Sequence, residues 1–237
     1  MLLSPRARNS VGDMATGREA QQVAKRAVIL GAIAFRSSLE VTSHPRVVEF
    51  SERLLPWLIE VGCDDELDPI EREELSTSLG QLSESQMMDV RWAGESAAIF
   101  CWMLKLREDL DEKNLADQSS LPDVLGILKP EAVEVIRLAV LRSRSEIVDR
   151  CRQFVLVRSM LQESRVGPPA SDIVRGIHVQ KLKEVGVSMT DDAVKQASGV
   201  VSRMSAEDRK RVAALYFIRH HAAMWFLSDR ASYFSTV

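Results

Sequence analysis

Hydrophobic residues along this chain recur at helical spacing and nowhere settle into the sustained alternation of a half-buried strand. From about Arg18, Val23, Ala27, Leu30 and Ala34 form an i, i+4, i+7, i+11 stripe that predicts a helix to about Val41. Ile29 and Ile33 widen the stripe until Ala27 to Phe35 is apolar nearly all round, as in a helix at the middle of a bundle. A second helix opens at Pro45 and runs through Val48, Leu55 and Leu58 to Gly62; Pro56, which lacks an N–H, is expected to kink or split it near Ser51 to Leu55. Asp68-Pro69-Ile70-Glu71 combines a cap, a first-turn proline and an acid at the third helical position, and Gly80 closes the short helix that follows. Ser83 and Gln86 make a capping box ahead of a helix that reaches Leu106. Residues 107–120 read as a polar, acidic loop.

The second half continues in the same mode. Pro122 and Pro130 bracket a short helix, and one long helix or two in succession run from about Glu131 to Gln162. Gly167-Pro168-Pro169 is the clearest linker, Ser171 caps a helix that ends at Gly186, and Thr190 starts another. Ser205 with Asp208 opens the last helix, which holds Leu215, Ile218, Ala222 and Trp225 on one side. The fold expected is all-α: an irregular multi-helix bundle around buried central helices, with no substantial sheet. Residues 1–16 are expected to be a disordered tail, with Met14 an alternative start. Residues 17–167 form the main helical domain, and 168–237 supply C-terminal helices that pack back onto it as part of one domain overall.

Composition agrees with this and narrows the compartment. With 46% hydrophobic and 27% charged residues in 237, the chain can bury a core without staples, and 5% aromatics with 11 Gly suit helices better than sheets. Cys63, Cys101 and Cys151 are far apart, odd in number and form no C-x-x-C pair, which argues for neither disulfides nor a thiolate metal site and fits the cytoplasm. Cys101 lies in an apolar run and reads as a small core residue. The longest apolar stretch, Ala27 to Phe35, falls well short of the roughly 20 residues that span a bilayer, so no membrane partner is expected.

Charge is unevenly spread. From Asp64 to Ser120 there are 15 acids against 5 bases, whereas Lys129 to Arg165 carries 8 bases against 5 acids. The acidic stretch would repel phosphate backbones, so no nucleic-acid partner is expected, and it could favour a basic protein partner. Its plainer reading is a set of solvated helix starts and loops. A calcium loop fails on spacing: counted from Asp109, positions six and twelve are Asn114 and Ser120 where Gly and Glu are needed.

The segment from Met88 to Leu106 holds the most chemistry. At about 100° per residue, Met88, Trp92, Glu95, Ile99, Trp102 and Leu106 fall on one face with Glu95 near its middle. An unpaired buried carboxylate is costly, so Glu95 needs a cationic or hydrogen-bonding partner, a proton or a cavity. Arg219 on the last helix is the partner expected, flanked by Trp92, Trp102 and Trp225, with Arg36 and Arg158 as competitors. His220 and His221 point about 100° apart and cannot chelate one metal from a regular helix. No metal, cofactor or phosphate-binding motif is present, and none is implied.

Leu54-Leu55-Pro56-Trp57-Leu58, the Asp-Pro-x-Glu start, Trp92-x-x-Glu95 before Trp102-Met103-Leu104, Arg144-Ser145-Glu146-Ile147, and Arg219-His220-x-Ala222-x-x-Trp225 together resemble a mainly bacterial family, domain of unknown function 4272. The likeness spans about residues 25–228. It implies a helical fold and supplies no activity. Ile218 stands where the resemblance implies an acid before the Arg-His pair, and only Phe154 and Arg158 remain of an aromatic, Arg-rich patch near 154–160. Two functions follow as expectations. One is a helical binding or interaction protein, an immunity-type or regulatory partner of a basic protein engaged through residues 64–120. The other is an enzyme with a Trp-lined pocket in which Glu95 acts as acid or base beside Arg219 and His220, with Trp92, Trp102 and Trp225 as ligand-binding candidates.

Overall fold

A computed structural model describes residues 18–166, 176–177, 179–180, 182–185, 187–228 and 233. The expected tail at 1–16, the linker at 167–169 and the cap at Ser171 lie outside the described residues. Among those described, every regular element is helical: α1 (Ala20–Leu39), α2 (Val47–Glu60), a 3-10 turn (Asp64–Glu66), α3 (Pro69–Ser76), α4 (Glu84–Met103), α5 (Leu121–Val124), α6 (Glu131–Arg137), α7 (Arg144–Val166), α8 (Asp191–Ser202) and α9 (Ala206–Leu227). None of them is long and apolar enough to cross a membrane.

The core is organised around α1 against α4. On one side α2, α3, α5 and α6 surround α1; on the other, α9 packs on α4, α7 on α9, and α8 on α7. The run that is apolar all round explains the central place of α1, which is buried from Val23 to Ile33 except at Lys25. Arg26 and Arg36, which flank the apolar run, are themselves buried inside the fold.

Three boundaries differ from the sequence pattern. The second helix starts at Val47, after a turn containing Pro45 and Arg46, and runs unbroken through Pro56. Pro56 and Glu52, whose carbonyl it leaves without a helical donor, are both exposed, so solvent can take the bond. The third helix stops at Ser76, and Gly80 instead forms a turn at φ +76° whose N–H donates to Glu40 Oε2. The fourth stops at Met103, short of Leu106. Lys105 takes a left-handed φ of +61°, and the N–H groups of Lys105 and Leu106 donate to the carbonyls of Trp102 and Cys101, closing the helix as a Schellman motif. The 131–162 stretch is two helices, α6 and α7. The caps at Ser83, Thr190 and Ser205 form as expected.

Candidate functional site

Glu95 lies on α4 and is fully buried, with both oxygens bonded. Arg219 Nε and Nη2 each approach Oε1 at 2.9 Å, and the Ala116 N–H donates to Oε2 at 2.8 Å. Arg219, itself 1% exposed, also donates to the Asn114 carbonyl and lies over the Tyr216 and Phe154 rings. The pair therefore fastens residues 114–116 of the acidic loop onto α4 and α9. Within that loop Asp111 accepts from the N–H groups of Lys113 and Asn114, so an acid that resembled a calcium ligand shapes a local turn.

The other expected site residues do not gather around Glu95. Arg36 is held by Glu40 and the carbonyls of Thr77 and Ser78, and Arg158 by His220 Nδ1. Trp102 stacks under Arg142 and Arg150, Trp225 under Arg18, and Trp92 lines a separate cavity. The single-face picture of α4 also changes: residues 93–103 are buried on all sides, while Met88 and Leu106 are 58% and 39% exposed. A greasy stripe and a helix buried all round share the same positions, and the sequence does not distinguish them.

The cavity beside this pair encloses about 310 Å³ between α1, α3, α4 and α9. Exposed Met88, Asp89, Ala214 and Phe217 form its rim; buried Glu74, Ser96, His221 and Tyr233 line its depth, with Leu30 and Ile33. Neither Glu95 nor Arg219 lines it. Tyr233 is tightly placed: its hydroxyl pairs with Ser96 Oγ at 2.7 Å, its N–H donates to Asp68 Oδ2, and its carbonyl meets His221 Nε2 at 2.7 Å. A carbonyl only accepts, so His221 carries its proton on Nε2 and leaves Nδ1 as a lone-pair acceptor. Burial pushes the His221 pKa down, which keeps the ring neutral.

Glu74 is the group that stands out. Its side chain is 1% exposed, and Oε1 has no hydrogen-bond partner among the described residues. Three residues earlier on the same face, Glu71 faces a cation: Arg26 Nη1 reaches it at 2.6 Å, while its other oxygen caps α3 through the Asp68 N–H. Among the described residues Glu74 has no such cation. Burial pushes its pKa up to about 8, and the nearby charges of Asp89, Glu71 and Glu73 add to the rise. Burial also raises Asp89 at the rim. Two carboxyls whose ionised forms are disfavoured thus share an apolar, aromatic cavity, the pattern by which ligand-binding and catalytic sites are recognised.

Asp89, Ser96 and Tyr233 were not singled out by sequence, His221 was weighed only as a metal ligand, and Glu74 counted only as one acid of the 64–120 stretch. The one available signal was spacing: Glu71 and Glu74 lie i, i+3 on α3, next to Leu75, on the face that becomes buried. Among the described residues no group of three His, Cys, Asp or Glu is placed to hold a metal ion.

The acidic stretch is largely answered from within. Nine of its fifteen acids lie within 4 Å of a Lys or Arg of the same chain, among them Asp65 with Lys25, Asp64 with Arg72 and Glu112 with Arg203. Asp111 and Asp117 shape turns. Glu73, Glu74, Glu84 and Asp89 remain, two of them in the cavity.

A family model described as Domain of unknown function (DUF4272) matches residues 7–181, a range that holds α1 to α7 and ends before α8 and α9. No curated protein and no solved structure matches the chain.

Proposed function

The chain belongs to the DUF4272 family, and we propose that it is a binding protein whose ligand enters the cavity between α1, α3, α4 and α9. The observation that carries this reading is Glu74, a carboxyl buried with no cation among the described residues, in a cavity that is otherwise mainly apolar. Folding alone gives no reason to retain such a group, since a buried polar atom left unpaired costs about 1–3 kcal/mol. The cavity is at the small end of ligand sites, which run from roughly 300 to 1,000 Å³. A reducing, cytoplasmic setting belongs to the proposal and is supported by three buried, unbridged cysteines.

Catalysis through Glu95, Arg219 and His220 has less behind it, because both oxygens of Glu95 are already bonded and none of the three lines the cavity. Docking of a basic protein on residues 64–120 draws on few acids once the internal pairs are subtracted.

Ligand-observed NMR with a panel of compact aromatic and aliphatic fragments tests the reading. Ala214 is exposed at the rim, so Ala214→Trp should narrow the entrance while leaving the fold intact. Fragments are expected to bind the native chain and to lose at least tenfold in affinity with Ala214→Trp at unchanged melting temperature. Equal binding to both proteins, or no binding to either, would overturn it.

A further inference from the structure

The charged surroundings of Glu74 restrict what the cavity can accept. On its own helix lie Glu71 and Glu73, and α4 presents Asp89. From α1, Arg26 is engaged by Glu71, Asp68 and the Glu66 carbonyl, and Arg36 by Glu40 and two carbonyls. From α9 comes His221, kept neutral, and Glu52 of α2 is exposed. The Tyr233 hydroxyl is paired with Ser96. Among the described residues no Lys or Arg lines the cavity, and Trp92, Phe217 and Tyr233 add three aromatic rings.

We infer that the ligand is a small organic cation, an amine on a compact apolar or aromatic body, whose ammonium group sits against Glu74 with Asp89 at the mouth. The inference rests on the cavity being the binding site and adds the chemical class of its occupant. An ammonium ion supplies the donor and the positive charge that Glu74 lacks. Aromatic faces attract a cation within about 6 Å of the ring centre through their quadrupole. Asp89, when ionised beside these low-dielectric walls, also concentrates cations at the mouth.

A proton balance follows. With its pKa near 8, Glu74 is mostly protonated at pH 7 and must release that proton to form an ion pair with an amine that is itself already charged. Amine binding is therefore expected to release close to one proton at pH 7 and almost none at pH 9. Affinity should rise about tenfold per pH unit from pH 6 towards 8 and level off above it.

Isothermal titration of the full chain with 2-phenylethylamine, 2-phenylethanol and 3-phenylpropanoate, in buffers of different ionisation heat, separates the cases. The expected result is a preference of at least tenfold for the amine at pH 8, with the proton release just described. Glu74→Gln should abolish that preference while leaving 2-phenylethanol binding in place, and Asp89→Asn should weaken the amine several-fold. If the alcohol or the carboxylate binds as well as the amine, the cation is refuted and the cavity stands as the site. If none of the three binds, both readings fall.

Discussion

Glu74 and Glu95 are both fully buried carboxyls, and their surroundings make them opposites. Glu95 accepts from Arg219 and from a backbone N–H, so Glu95→Gln would leave a buried guanidinium without its counter-charge. Removing one partner of such a pair typically costs about 3–5 kcal/mol. Glu74 has no cation to abandon. Its folded-state pKa lies above the ordinary carboxylate range, so at low pH the group is protonated in both states and exacts no penalty for burying a charge. As pH rises towards about 8 the unfolded chain gives up the proton while the folded chain keeps it, and stability declines; above that the loss is constant. Glu74→Gln should remove this decline and raise stability at pH 8 by on the order of 2–4 kcal/mol, with little change at pH 4. Urea denaturation of both variants across this range checks the opposite signs. Only one of the two carboxyls was legible in the sequence. Glu95 stood out because large apolar residues surround it at helical spacing, whereas Glu74 sits in Glu71-Arg72-Glu73-Glu74, which looks like any solvated helix start.

At the scale of elements, helix starts were easier to read than helix ends. Ser83, Thr190 and Ser205 begin their helices with side chains that bond their own backbone, a local event written in a few residues. The end of α4 depends on Lys105 in a conformation that glycine usually supplies, so no punctuating residue marks it. Gly31, by contrast, has its reason in tertiary packing. A Cβ there would lie 2.5 Å from Leu125 Cδ1, and Leu125 is fully buried and cannot swing into water. Overpacking of this kind costs about 1–3 kcal/mol, against which the better helix propensity of alanine returns up to about 1. Gly31→Ala is expected to lower the unfolding free energy obtained from urea denaturation by a net of roughly 1 kcal/mol, because α1 can no longer approach Leu125 beside α5 so closely.

Across the whole molecule, helices from far apart in the chain share one core, in the order α1, α4, α9, α7, α8. The Glu95–Arg219 pair spans that arrangement across 124 positions of sequence. Its partners could be named in advance because few arginines lie on an apolar helix face. The cavity next to it could not, because its walls come from four helices and Tyr233, whose juxtaposition is a product of packing. The family match reaches residue 181, so α1, α3 and α4, which carry both carboxyls, lie within it, whereas the wall from α9 lies beyond. Glu74 is, among the described residues, an uncompensated carboxyl at the heart of this assembly. Carbon-13 NMR titration of the glutamate side chains, with Glu74 assigned from the resonance missing in Glu74→Gln, measures that directly. The expected result is a carboxyl that titrates near pH 8; titration of Glu74 in the ordinary carboxylate range would contradict it.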